Sequence, residues 1–278
     1  EFPITTDLFQ KDFQIEETIA KGAFGEVYKV KKISEDKEYA LKVLSKSQIV
    51  KESAVRQVKE EARIQAACGH HSFIAGAVAR WQTKKRLYIV SEYIPGGELL
   101  ALLEKYGKLP EELVKIFVAE IAIALDFLHN AGVIYRDLKP ENILLDSDCH
   151  IRLIDFGLSK WLSIGSRTTT LCGTLKYMAP EVLTREPYGH AVDWWSLGVL
   201  TCRMLTDEVG NRHVLEPKIR RHVTSTNPHW ARVVDYSPFP LVERRPESQQ
   251  WEHYKADYAM LCYYNLSSYP MLVLNYKQ

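Results

Sequence analysis

The chain has 278 residues, 46% hydrophobic and 26% charged, with a formal net charge of +1. This balance allows a sizeable core in one or two domains, and the near-zero charge leaves no footprint for nucleic acid or an anionic membrane. The five cysteines, Cys68, Cys149, Cys172, Cys202 and Cys262, show neither CxxC spacing nor a zinc-type Cys/His cluster, and they read as free thiols of a reducing compartment. Glu1-Phe2-Pro3 does not read as a signal peptide, and no apolar run reaches the roughly 20 residues of a membrane span. An intracellular, cytoplasmic location with no membrane span is therefore expected.

Taken in chain order, residues 1–94 are strand-rich with one helix. Runs 13–20 and 26–30 are predicted strands around the turn Gly22-Ala23-Phe24-Gly25, and 38–44 is a third. Residues 52–68 read as a helix, with Val55, Val58 and Ala62 at helical spacing, and Arg86–Glu92 as a strand. Pro95-Gly96-Gly97 is a hinge between two lobes. A long helix starts after Pro110 with Glu111 and Glu112 in its first turn. Leu113, Phe117, Ile121, Ala124 and Leu128 form its apolar face, and Asn130-Ala131-Gly132 ends it. Residues 143–145 and 150–153 suggest a small hairpin, and 192–205 a strongly apolar helix. The segment 208–278 holds six of the twelve prolines and one glycine, Gly210, and shows no periodicity. Its fold is left unassigned.

Four places carry candidate chemistry. The turn within Ile19-Ala20-Lys21-Gly22-Ala23-Phe24-Gly25-Glu26-Val27 lets backbone N–H groups approach phosphates, though most glycine turns only turn the chain. The strand that follows it argues against a dinucleotide-binding turn. Lys42, in an apolar strand, reads either as an edge-strand lysine or as a cation aimed at phosphates and held by Glu61 or Glu60. Tyr135-Arg136-Asp137-Leu138-Lys139-Pro140-Glu141-Asn142 places four charged residues and an Asn between apolar strands, where Pro140 forbids a helix. Asp155, after a buried strand in Leu153-Ile154-Asp155-Phe156-Gly157, suits a magnesium ligand.

The ordered set Gly-x-x-Gly-x-Val, Ala-Leu-Lys, Tyr-Arg-Asp-Leu-x-x-x-Asn, Asp-Phe-Gly and Ala179-Pro180-Glu181 resembles the eukaryotic protein kinase signature over about residues 12–205. Tyr135, Leu171-Cys172-Gly173-Thr174 and Asp193-Trp194-Trp195 make it similar to the AGC group of serine/threonine kinases, near the ribosomal-protein-kinase branch, with a divergent C-terminal segment. The resemblance implies an α+β, bilobal, protein-kinase-like fold. Its N-lobe (1–94) would be an antiparallel sheet with one main helix, its C-lobe core (95–207) helical and incomplete, and 208–278 a divergent tail. ATP and Mg2+ are the implied cofactors, and the implied reaction moves the γ-phosphoryl group to protein serine or threonine hydroxyls.

By the same resemblance Asp137 orients the substrate hydroxyl, Lys139 neutralises the moving phosphoryl group, and Asn142 and Asp155 hold the metal. Lys42 grips the phosphates, fixed by Glu61. Adenine lies between Val27 and Ala40 on one side and Leu144 on the other, with its edge at the backbone of Glu92 and Ile94. Glu98 reaches the ribose or a basic substrate residue, and Glu141 reads a basic residue, so protein substrates with basic residues near the target are implied. Tyr135, Arg136, Phe156 and Asp193 support the site. Thr170 is the implied activation-loop phosphosite for an upstream kinase, with Thr168 and Thr169 as competing acceptors.

Some positions depart from the family. Ala20 replaces a glycine, Ser91 is a small residue behind the adenine pocket, Leu175-Lys176 replaces Pro-Glu, and Gln65 and Ala77 thin an apolar stack with Phe156 and Tyr135. With the unmatched tail, the thinned stack supports a rival reading: a catalytically weak or inactive kinase-like protein that acts by binding.

Overall fold

A computed structural model describes residues 2, 4 and 10–206. The N-lobe runs through β1 (Phe13–Gly22), β2 (Gly25–Lys32), β3 (Lys37–Ser45), α1 (Lys46–Lys51), α2 (Val55–Cys68), β4 (Ala77–Gln82) and β5 (Arg86–Glu92). Its strands form one antiparallel sheet in the order β1-β2-β3-β5-β4.

Side chains of a strand alternate between faces, and in β3 this alternation creates two separate cores. Tyr39, Leu41 and Val43 enter an apolar layer with Phe13, Val30, Trp81, Tyr88 and Val90. In that layer Phe13, Trp81 and Tyr88 stack in series, with ring centroids 5.9 and 5.1 Å apart. Leu44 faces the other side, packing with Leu87 and Ile89 against Ile49 of α1 and Val58 of α2. Lys42 shares the parity of Leu44, so it lies on the helix-covered face of an interior strand, opposite Val27 of β2 and Ile89 of β5. It is not an edge-strand lysine.

Three N-lobe details differ from the sequence reading. The helix expected from residue 52 starts at Val55, because Ser53 has φ 54° and separates it from α1. Strand β4 was not anticipated: Ala77 and Ala79 give it little β-propensity, and pairing with β5 makes it a strand. Strands β1 and β2 also run on to the turn, meeting at Gly22 and Gly25.

Beyond Pro95 the chain is mainly helical. Helix α3 (Leu99–Tyr106), also unanticipated, ends at Gly107, whose φ is 70° and whose N–H returns to the Leu103 carbonyl. Helix α4 (Glu111–Asn130) buries Phe117, Ile121, Ala124, Leu125 and Leu128. Strand β6 (Val133–Ile134) follows, then a 3-10 turn (Pro140–Asn142), β7 (Ile143–Leu145), β8 (Ile151–Leu153), β9 (Lys160–Trp161), α5 (Pro180–Leu183) and α6 (Ala191–Thr206). The predicted hairpin is β7–β8, with Ile143 opposite Leu153. It is pinned to α4 by buried Glu120, which accepts the Ile151 N–H at 3.0 Å and pairs with His150. Leu197, Leu200 and Met204 of α6 complete the core under α4. No helix among the described residues is long and apolar enough to cross a membrane. The expected incompleteness of the C-lobe and the tail 208–278 lie outside the described residues.

Candidate active site

On the N-lobe side, Lys42 Nζ lies 2.6 Å from Glu61 Oε1. Burial opposes the charge on Lys42, and the nearby carboxylates of Glu61 and Asp155 outweigh it, holding its pKa above the ordinary lysine value. Glu60, the competing partner, faces elsewhere: its Oε1 accepts the backbone N–H of Trp161 at 3.1 Å.

The loop after β6 is held from beneath by Asp193 of α6, which is fully buried. Asp193 Oδ2 accepts the Tyr135 N–H at 2.9 Å and lies 2.7 Å from His129 Nε2, while Oδ1 accepts the Arg136 N–H at 2.7 Å. Arg136 is thereby kept at φ 70°, a left-handed conformation unfavourable for a residue with a Cβ. Its Nε donates to the Leu158 carbonyl at 2.6 Å. The Tyr135 ring is buried edge-on to Phe156, with centroids 5.4 Å apart. Burial, and then the charges of Asp155, Asp137 and Asp193, push its phenol pKa well above the ordinary value, so it stays a neutral donor to the Ile154 carbonyl.

Asp137, 8% exposed, is the centre of the constellation. Its Oδ2 lies 2.9 Å from Lys139 Nζ and accepts from Asn142 Nδ2 at 3.0 Å, while Oδ1 accepts from Thr174 Oγ1 at 2.8 Å. Lys139 also donates to Thr174 Oγ1 at 3.0 Å. Asn142 Nδ2 donates to the Asp137 carbonyl as well, at 2.9 Å, which leaves its amide oxygen as the group available to a hard cation. Asp155 is exposed, at φ 57°, and its Oδ1 accepts the Gly157 N–H at 3.0 Å. A carboxylate and an amide oxygen, beside a lysine that can take phosphate, are a donor set that fits magnesium with a nucleotide.

The glycine turn has two unequal glycines. A Cβ on Gly25 would sit 1.8 Å from the Val43 carbonyl oxygen, so Gly25 is needed for strand packing, while a Cβ on Gly22 would meet nothing nearer than 3.8 Å. Phe24 packs on the cluster of Leu44 and Ile49, and Lys21 and Glu26 pair across the turn at 3.3 Å. Ile19 is exposed, Ala20 pairs with Val27, and Ala23 lies in the turn itself. Ala40 stands opposite Ser91 on β5, Glu92 ends that strand, and Ile94 is buried beyond it. Leu144 of β7 bridges to Glu98 at the start of α3. Glu98 has its pKa raised by burial and then by the charges of Glu141 and Glu104, and Glu141 Oε2 is buried with no hydrogen-bond partner among the described residues.

Past Gly157, Thr168 is buried and Thr169 and Thr170 are exposed. Thr168 pairs by backbone with Tyr188, and its hydroxyl meets Lys160 Nζ and Thr170 Oγ1, each at 3.3 Å. Arg136 reaches Thr170 only through Tyr188, whose hydroxyl lies 3.5 Å from Nη1 and donates to the Thr170 carbonyl. Lys160 and Tyr188 were not singled out from sequence. Lys160 lies in a strand of two residues, too short to show a pattern, and only its pairing with Ile134 defines it. Gln65, expected to be buried in the thinned stack, is half-buried and donates to the Ala75 carbonyl at 3.3 Å.

Residues 13–261 match the family described as the protein kinase domain. The chain is 50% identical over 195 residues to "Protein kinase 2" of Dictyostelium discoideum, covering 70% of this chain and 40% of that one. It is 43% identical over 206 residues to human "Ribosomal protein S6 kinase-related protein", covering 74% and 50%. "Serine/threonine-protein kinase AtPK1/AtPK6" of Arabidopsis thaliana is 40% identical over 211 residues, covering 75% and 45%. The chain thus spans about half the length of the curated relatives it matches.

Proposed function

Because the chain belongs to the protein kinase domain family, we propose that it transfers the γ-phosphoryl group of ATP, with magnesium, to serine or threonine hydroxyls of proteins. The observation that carries this reading is the hydrogen-bonded cluster at Asp137, joined by Lys139, Asn142 and Thr174, together with a Lys42–Glu61 pair whose lysine feels the charge of Asp155. In this reading Asp137 orients the attacking hydroxyl, and positioning matters more than basicity because the transition state is loose. Lys139 would meet charge on the moving group. Asn142 and Asp155 would hold magnesium, which neutralises phosphate charge, and Lys42 would bind the α- and β-phosphates. Adenine would rest between Val27 and Ala40 and on Leu144, with the Glu92–Ile94 backbone at its edge.

Substrates with basic residues near the target fit Glu98 and Glu141. Their mutual repulsion and the unpartnered Glu141 oxygen make a place that a cation would relieve. Thr170, exposed near Arg136 and Lys160, suits phosphorylation by an upstream kinase. The free thiols of Cys68, Cys149 and Cys172 fit an intracellular, cytoplasmic setting.

The test is phosphate transfer by the purified chain beside Lys42→Met and Asp137→Asn, with a thermal shift on adding ATP and magnesium. Transfer by wild type alone supports the kinase reading, and equal background from all three rejects it. A nucleotide-induced shift without transfer would favour the rival reading, a kinase-like binding protein, to which the small Ala77 gives some support.

A further inference from the structure

Two adjacent carboxylates on α2 lead to different parts of the molecule. Glu61 meets Lys42 at 2.6 Å, on the nucleotide side. Glu60 accepts the Trp161 N–H at 3.1 Å. Successive helical residues are turned by about 100°, so one helical step addresses two directions. Strand β9, which contains Trp161, pairs among the described residues only with β6, in a sheet of two strands. Its far edge would leave the Trp161 N–H without a strand partner, and Glu60 supplies the acceptor. The same strand is tied to the rest of the site. Val133–Ile134, its partner, leads directly into Tyr135-Arg136-Asp137. Arg136 bonds the Leu158 carbonyl just before β9, and Lys160 within it reaches Thr168.

We propose that Glu60 is a positioning residue for phosphoryl transfer. By holding the Trp161 N–H it fixes α2 to the start of the segment that carries Thr168 and Thr170, and so keeps Glu61 on Lys42. The proposal rests on the kinase reading above, and its test has one arm that does not.

The full chain is compared as wild type, Glu60→Ala and Glu60→Gln, by hydrogen exchange of backbone amides and by steady-state phosphate transfer. In Glu60→Ala the Trp161 amide and the α2 amides exchange about fivefold faster, and kcat falls about fivefold at unchanged peptide KM, the scale of one solvent-screened, charge-assisted hydrogen bond. Glu60→Gln keeps an accepting oxygen and restores both to within about twofold of wild type. Unchanged Trp161 exchange in Glu60→Ala overturns the contact. Unchanged kcat, or a Gln variant as impaired as the Ala variant, overturns the positioning role. If wild type itself transfers no phosphate, the kinase reading fails separately. The exchange arm then decides for Glu60, and faster exchange at Trp161 without any change in α2 counts against it.

Discussion

Replacing Asp193 with Asn changes no heavy-atom count, yet it should be among the most damaging conservative substitutions in the chain. The carboxylate is fully buried and accepts from Tyr135 N–H, Arg136 N–H and His129 Nε2 at 2.9, 2.7 and 2.7 Å. An amide has one accepting oxygen, so its NH2 must face at least one backbone N–H. Leaving a buried donor unsatisfied costs about 1–3 kcal/mol, and losing the charge weakens the remaining bonds by about 1 kcal/mol more. Asp193→Asn should therefore lose about 2–4 kcal/mol, against a total of about 5–15 kcal/mol for a typical domain. Arg136 would also be released from φ 70° toward a relaxed backbone, so kcat should fall further than the folded fraction. Urea unfolding followed by tryptophan fluorescence reads the loss as a lower midpoint at constant slope. A change under about 0.5 kcal/mol would refute the reasoning, because it would mean the loop is held by something else.

Other expectations follow from the same geometry. Gly25→Ala, whose Cβ would sit 1.8 Å from the Val43 oxygen, should cost over about 3 kcal/mol, while Gly22→Ala, with nothing nearer than 3.8 Å, should cost under about 1 kcal/mol; thermal unfolding of the two variants side by side checks this. His150 has its pKa raised above 6.5, chiefly by its hydrogen bond to Glu120. The stability it contributes is thus fully present below about pH 6.5 and lost as pH rises through the raised value. Its side chain is 44% exposed, so the effect should be on the order of a few tenths of a kcal/mol; a His150→Gln variant whose Tm keeps the wild-type pH dependence would contradict it. Phosphopeptide mapping after treatment with an activating kinase should find phosphate on Thr170 and none on Thr168, whose hydroxyl is enclosed by Lys160.

The residues with polar roles were legible in the sequence because they stand in short, ordered motifs. Lys42, Asp137, Asn142 and Asp155 could be picked out without knowing any contact. Choosing Glu61 over Glu60 could not be done that way. Both are on the same helix turn, and the choice depends on β3 being an interior strand whose even-numbered side chains face α2. Strand β4 and helix α3 were missed for a related reason: Ala77 and Ala79 carry weak local preference, and α3 is a short apolar helix whose Leu99 and Leu103 are buried in the C-lobe core. The polar Gln65 was expected to be a defect, but a carbonyl from outside its helix, at Ala75, satisfies it. Tertiary partners of this kind leave no mark on a single sequence.

Arg136 and Asp155 both adopt left-handed backbone conformations, at φ 70° and 57°. On backbone preference alone each position would be better served by glycine, by about 1 kcal/mol. Their side chains forbid it: one donates to the Leu158 carbonyl and the other holds the Gly157 N–H beside Lys42. Glycine at either position would relieve that strain and forfeit the bond, so a laboratory selection for thermal stability alone would keep both residues.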